Sequence, residues 1–244
     1  PSKIDGAKHA WAIFSLLVKR LRKVWPQVKI MFRGDSGFCR WWVLSWCERH
    51  SVGYIVGIPQ NERLNARTAR LRCDVEDCFT QLQTKVRWFT DFYYGARGWD
   101  HPRRVIAKIE HTDKGSNPRY VVTNLEGDPQ ALYEKLYCAR GEMENRIKEQ
   151  QLDLFADRTS CHRWWPNQFR LLLSSLAYTL LEAIRRLALA GTELARAYVG
   201  TIRLKLLNIG AIILRNTRRI RFLLSSSYPH QDLFFLVAAK LTPK

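Results

Sequence analysis

Acidic residues are scarce in this chain: 22 Asp and Glu stand against 40 Lys and Arg in 244 residues, a formal charge of +18. A protein so short of acid gathers polyanions around itself, and nucleic acid is the commonest large polyanion in a cell. Arg outnumbers Lys in several stretches, and its planar fork suits phosphate oxygens. Zinc-ligand spacing is missing as well. None of the six cysteines (Cys39, Cys47, Cys73, Cys78, Cys138 and Cys161) forms a C-x-x-C pair, and no histidine pair sits at ligand spacing. Nothing marks a secreted protein, so reduced thiols in a cytosolic protein are expected. No apolar run is long enough for a membrane: the best, from Leu171 to Leu181, is about half of what a bilayer requires and ends at Glu182, Arg185 and Arg186. Repeats and low-complexity tracts are also lacking. With 46% apolar and 25% charged residues, the bulk of the chain is expected to fold.

What is there reads first as an α/β layer. Ala10, Trp11, Phe14, Leu17, Val18, Leu21 and Trp25 recur at three- and four-residue steps, predicting a helix over 7–25. Asp5 is placed to cap it and Pro26 to stop it. The β-prone run 28–32 leads into Arg33-Gly34-Asp35-Ser36-Gly37-Phe38. A helix through Trp41, Trp42, Leu44, Trp46 and Cys47 comes next, and then a strand over 54–58. Residues 60–84 look weakly helical. Two strands, 86–94 and 103–111, read as a hairpin turned by Gly95, Gly98 and Pro102, and 119–125 reads as a strongly β-branched strand. Asp128 and Pro129 open a helix predicted to run to about Gln151. Another follows Pro166, with Phe169, Leu172, Leu173, Leu176, Leu180, Ile184 and Leu187 on one face. Beyond Gly200 the chain turns basic, and helices are expected over 203–221.

Two segments carry the candidate chemistry. Asp35 follows a hydrophobic strand directly and is flanked by small residues, an open position from which a carboxylate can hold a hard cation such as Mg²⁺. On this segment alone it reads more readily as a turn residue or a helix cap. The second segment is 137–149. On a helix, Tyr137, Arg140, Glu144 and Lys148 step by three, four and four and line one face. That stripe is not apolar enough for a core. It reads either as a functional face or as an exposed helix with Arg140–Glu144 and Glu144–Lys148 pairs. The pairs Trp41–Trp42 and Trp164–Trp165 suit buried packing or stacking on unpaired bases.

The stripe resembles the Y-x2-R-x3-E-x6-K signature of DDE transposases from bacterial insertion sequences. Tyr137, Arg140 and Glu144 match its first three positions. The signature Lys would fall at Gln151, and the nearest Lys is Lys148. Segments 33–38, 46–48, 54–57, 120–125 and 144–149 look like that class in the same order, so the likeness runs from the first helix to about Arg221.

The resemblance implies an RNase-H-like core interrupted by a β-rich insertion and followed by a basic helical carboxy-terminal region. The expected division is core at 1–59, insertion at 60–118, remaining core with the Glu helix at 119–190, and the basic region at 191–244. It implies that Asp35 and Glu144 are catalytic and hold two Mg²⁺ ions, with Mn²⁺ able to substitute. Tyr137, Arg140 and Lys148 would hold phosphates of the transposon end. The first catalytic Asp is expected upstream of Pro1, so this fragment alone should be inactive. The implied partners are DNA and a second copy in a synaptic dimer, in the cytoplasm at the nucleoid and not at a membrane. The competing readings are an inactive transposase-derived DNA-binding protein and a related RNase-H-like nuclease.

Overall fold

The computed structural model describes residues 7–242, which fall into two compact units, 1–141 and 142–244. Asp5 and its proposed cap lie outside the described residues.

In the first unit, helix α1 (Ala10–Val24) is followed by strand β1 (Met31–Gly34), helix α2 (Trp41–Arg49) and strand β2 (Gly53–Ile58). Strands β1 and β2 are parallel, with Gly34 opposite Val56, so both end at the same edge of the sheet. Helices α3 (Glu62–Arg67) and α4 (Ala69–Leu82) occupy the stretch expected to be weakly helical. Strands β3 (Val86–Tyr94) and β4 (Arg103–Thr112) form the predicted hairpin, with Gly98 at φ +89° in the turn. The short β5 (Gly115–Ser116) pairs with the end of β4, and β6 (Arg119–Thr123) lies between β2 and β4, antiparallel to both.

The main strand order is therefore β1-β2-β6-β4-β3. This differs from a separate β-rich insertion over 60–118 in two ways. Its first third is helical, and its strands continue the sheet that β1 and β2 begin. The chemistry explains the second difference: Val105, Ile106, Ala107 and Ile109 are apolar on both faces, as suits an interior strand, and β4 is buried on both.

One face of the sheet packs under α1, α2 and α4 through Leu44, Trp46, Tyr54, Val56, Leu64, Val75, Val105 and Val122. The other packs Ile55, Ile106 and Val121 under Leu132 and Tyr133. Beneath the first face, Arg103 is 3% exposed and spans α2 and the β3–β4 turn. It donates to Glu48 at 2.8 Å and to Ser45 at 2.8 Å, and pairs with Asp100 at 2.9 Å. The Tyr54 hydroxyl donates to the same Glu48 at 2.6 Å. A buried guanidinium needs this full set of partners, because removing one strands a charge at a cost of about 3–5 kcal/mol.

The single helix expected from Gln130 to Gln151 is broken. Asp128 accepts from the Ala131 N–H at 2.7 Å and Pro129 follows it, as expected for a helix start. The first turn, α5 (Pro129–Ala131), then widens into a π-helical stretch, Leu132–Tyr137. Two turn residues, Cys138 and Ala139, intervene before α6 (Arg140–Lys148), and a second π-helical stretch covers Glu149–Asp153. Tyr137 and Arg140 therefore do not share one regular helix. Wide turns of this kind gather at functional sites.

The second unit continues with α7 (Trp164–Leu187), α8 (Val199–Ile202), strands β7 (Ala211–Arg215) and β8 (Ile220–Leu224), and α9 (Gln231–Leu241). Its core joins Leu181, Ala188, Leu189, Val199, Ile202, Leu206 and Val237. Glu149 is buried there between Arg185 at 3.2 Å and Arg146 at 2.9 Å.

One helix face in this unit is open, and one expectation fails. The buried side of α7 is Ser174, Leu181 and Arg185, whereas Phe169, Leu172, Leu173, Leu176, Leu180 and Leu187 are exposed. The basic stretch expected to be helical over 203–221 is helical only to Leu207. Residues 211–224 form a hairpin instead. β-Branched Ile212, Ile213 and Ile220 favour strand, and Asn216 forms the turn by accepting from the N–H groups of Arg218 and Arg219 at 3.1 and 2.7 Å. No helix among the described residues is long and apolar enough to cross a membrane.

Candidate DNA-processing site

The parallel strands β1 and β2 set up the site by ending side by side. In open α/β sheets the carboxyl ends of such strands border the ligand crevice. Asp35 immediately follows β1, and Gly57 to Gln60 close β2. β6 runs the opposite way, so its first residue, Arg119, and the preceding Pro118 arrive at the same edge. These groups, with Ser36, Tyr120, Tyr133, Tyr137 and Arg140, line a crevice of about 430 Å³.

Asp35 is a turn cap whose side chain is also open to solvent. Its Oδ1 accepts from the Gly37 N–H at 2.9 Å at the start of the one-turn helix Ser36–Phe38. That bond fixes the carboxylate while its side chain stays 50% exposed towards the crevice. Gly34 keeps the strand end tight, because a Cβ there would lie 3.1 Å from the Phe38 Cβ. Arg33 ties the strand end to the π-helical stretch by donating to the Leu136 carbonyl at 3.2 Å.

Arg140 brings its guanidinium to 4.0 Å from Asp35 Oδ2 and lies over the Tyr137 ring, 5.8 Å from the centroid. Tyr137 is half-buried, and burial raises its hydroxyl pKa above the ordinary range; Asp35 and Cys138 push the same way, while Arg140 and Arg119 oppose. Tyr133 packs beside it with ring centroids 5.3 Å apart. Burial also pushes the Tyr133 hydroxyl up, to about 12, so both phenols stay protonated donors at neutral pH.

Of the residues expected at a site, the structure brings Asp35, Tyr137 and Arg140 together. Glu144 and Lys148 belong to the second unit, where both are exposed on α6. Sequence reasoning overlooked Gly57 and Arg119 as members of the crevice. A glycine inside a β-branched strand is the signal for Gly57, since it marks a close approach of another group. Arg119 had no signal beyond its charge.

The tryptophan pairs are not core packing. Trp41 and Trp42 are 41% and 46% exposed, and Trp164 and Trp165 are 68% and 77% exposed. Glu48, in a segment that also looked transposase-like, holds Arg103 beneath the opposite face of the sheet from Tyr133.

The donor set suits a hard cation only in part. Asp35 offers an anchored, open carboxylate, which Mg²⁺ accepts alongside water and phosphate oxygens. Among the described residues it is the one carboxylate lining the crevice, and no group of three or more potential ligands assembles there or elsewhere.

No match is found among curated proteins. The family model described as Transposase DDE domain group 1 matches residues 1–244. With that match running through both units and through the strand end that presents Asp35, the chain belongs to the DDE transposase family.

Proposed function

We propose that the chain is part of a transposase that cleaves DNA at the ends of an insertion sequence and joins the strands to a target. The observation that carries this reading is the convergence of Asp35, Tyr137 and Arg140 on one crevice at the ends of two parallel strands. Family membership supports DNA as the substrate, and the excess of Lys and Arg suits its backbone.

The reaction is in-line attack by water or a 3′-hydroxyl on a phosphodiester. Bound Mg²⁺ would supply charge to the attacking and leaving oxygens, which is why the site needs no His or Ser nucleophile. Asp35 and Glu144 are assigned as carboxylate ligands. Asp35 is suited to this because its Gly37 bond holds it in place before substrate arrives. Arg140 is assigned to the phosphate beside the scissile bond, where its fork makes two parallel bonds, and Tyr137 donates a third. Lys148 adds a point charge further along α6. A homodimer would pair two ends.

Cleavage of labelled element ends, with Mg²⁺, by the longest chain the gene encodes tests the reading. Asp35→Ala and Glu144→Ala should each reduce cleavage at least about a thousandfold, the equivalent of roughly 4 kcal/mol, with DNA affinity nearly unchanged. Normal cleavage by either variant removes that residue from the site. A second reading, a DNA-binding protein without cleavage, draws on the single carboxylate in the crevice. Binding to the same ends with no cleavage at any Mg²⁺ or Mn²⁺ concentration would select it.

A further inference from the structure

Arg119 lines the crevice, yet neither catalysis nor folding accounts for it. It is exposed at the first residue of β6, beside Pro118, where the strand meets the ends of β1 and β2. Its Nε donates to the Asn117 side chain at 3.1 Å, and no carboxylate among the described residues pairs with it.

Other cations crowd the same corner of the sheet. Directly across the strand pair from Arg119 stands Lys108, another cation, which is 7% exposed. Glu110, which binds Lys108 at 3.0 Å, is also shared by Lys85 at 2.9 Å and Arg87 at 2.7 Å. Arg87 turns its other arm to Glu134 at 2.8 Å. At this corner of the sheet four cations, Lys85, Arg87, Lys108 and Arg119, thus meet two carboxylates, Glu110 and Glu134, and both carboxylates are engaged. Like charges opposed across a strand pair repel, so an anion arriving at Arg119 would relieve the imbalance.

We infer that Arg119 is a phosphate-binding residue of the crevice, gripping a DNA backbone phosphate next to the one beside Asp35. This rests on the transposase reading for the identity of the polyanion, but not for the position of the contact. Arg119 and Arg140 line the same crevice, one entering from β6 and the other from the helical segment after Tyr137. A strand lying along the crevice would meet Arg140 at one phosphate and Arg119 at a neighbour. The guanidinium fork, with its Nε held by Asn117, is oriented before the strand arrives. Such a contact fixes the register of the strand and carries no sequence preference.

The salt dependence of binding reads this directly. A fluorescein-labelled duplex of random sequence is titrated with the full chain in EDTA at several salt concentrations, so that cleavage plays no part. Each phosphate neutralised contributes about 0.9 to the slope of log K against log[salt]. Arg119→Gln should lower the slope by about that amount. Arg119→Lys should keep the slope while weakening affinity, and Arg63→Gln, on α3 outside the crevice, should change neither. An Arg119→Gln slope equal to wild type overturns the assignment.

A second measurement needs no variant: phenylglyoxal modification of Arg119 in the wild-type chain, read by mass spectrometry. Protection by the duplex supports the contact, and equal labelling with and without DNA overturns it. If Arg119 passes both tests while the Asp35 variants leave cleavage intact, the phosphate contact stands and the catalytic reading falls.

Discussion

The Tyr137 hydroxyl rests against Gly57, so near that a Cβ on Gly57 would lie 2.8 Å from it and 3.1 Å from the Ser36 amide nitrogen. The missing side chain on β2 is what lets the phenol reach the backbone that carries Asp35. Gly57→Ala should therefore displace Tyr137 or the Asp35 turn and cut cleavage at least about tenfold, some 1.4 kcal/mol at the transition state. The overpacking should also cost about 1–3 kcal/mol of stability. Adding Tyr137→Phe, which removes the hydroxyl, should restore part of the lost thermal stability but not the activity. If the double variant melts no higher than Gly57→Ala alone, the hydroxyl is not what the glycine accommodates.

Arg140 contributes geometry as well as charge. Replacing it with Lys keeps the charge and loses the fork over Tyr137. Affinity for element ends at fixed salt should fall about tenfold in Arg140→Ala and by an intermediate amount in Arg140→Lys, as fits a charge-assisted contact of about 1.5–3 kcal/mol. Unchanged end affinity in the alanine variant would take Arg140 out of phosphate binding.

The sequence exposed the parts of the fold governed by local pattern. The period of α1, the turn glycines between β3 and β4, and the Asp128-Pro129 start were all readable, because each is decided within a few residues. What local pattern could not decide was where an element packs. The stripe Phe169, Leu172, Leu176 and Leu180 lies on one face of α7, but the helix buries Leu181 and Arg185 within its unit. The basic stretch 203–221 reads as helix, while the turn chemistry of Asn216 and the flanking isoleucines decide for a hairpin over 211–224. At the site, Asp35 was visible from the strand before it. The crevice wall made by Arg119 was not, because it depends on β6 running antiparallel into the ends of β1 and β2.

Glu110 makes the first unit sensitive to acid. It is 6% exposed, and Lys85, Arg87 and Lys108 hydrogen-bond its carboxylate; these bonds outweigh the larger single effect, burial, and hold its pKa at about 2 against an ordinary 4.5. A carboxyl depressed in the folded state stabilises fully above its unfolded pKa, and that contribution disappears as pH falls through the folded value. Stability should therefore drop between about pH 4.5 and pH 2, by up to roughly 3 kcal/mol from this group. Glu110→Gln should lose stability at neutral pH, where three cations would face a neutral amide, and should show a flatter acid limb. An acid limb identical to wild type in urea melts across that range would show that Glu110 is not the group responsible.

The hairpin β7–β8 presents Arg215, Arg218, Arg219 and Arg221 with every residue of both strands exposed. No Asp or Glu occurs between Glu193 and Asp232, so nothing nearby in the chain offsets these charges. A two-stranded ribbon fits a DNA groove, and arginines at its turn meet phosphates on the way in. The double change Arg218→Gln with Arg219→Gln should lower the slope of log K against log[salt] by up to about 2, at about 0.9 per phosphate. It should leave the cleavage rate at saturating DNA unchanged, because the loss is in binding alone. The ribbon would have no part in DNA binding if both the slope and the affinity at low salt matched wild type. A fall in the saturated cleavage rate with unchanged affinity would instead place these arginines in the assembly of the active complex.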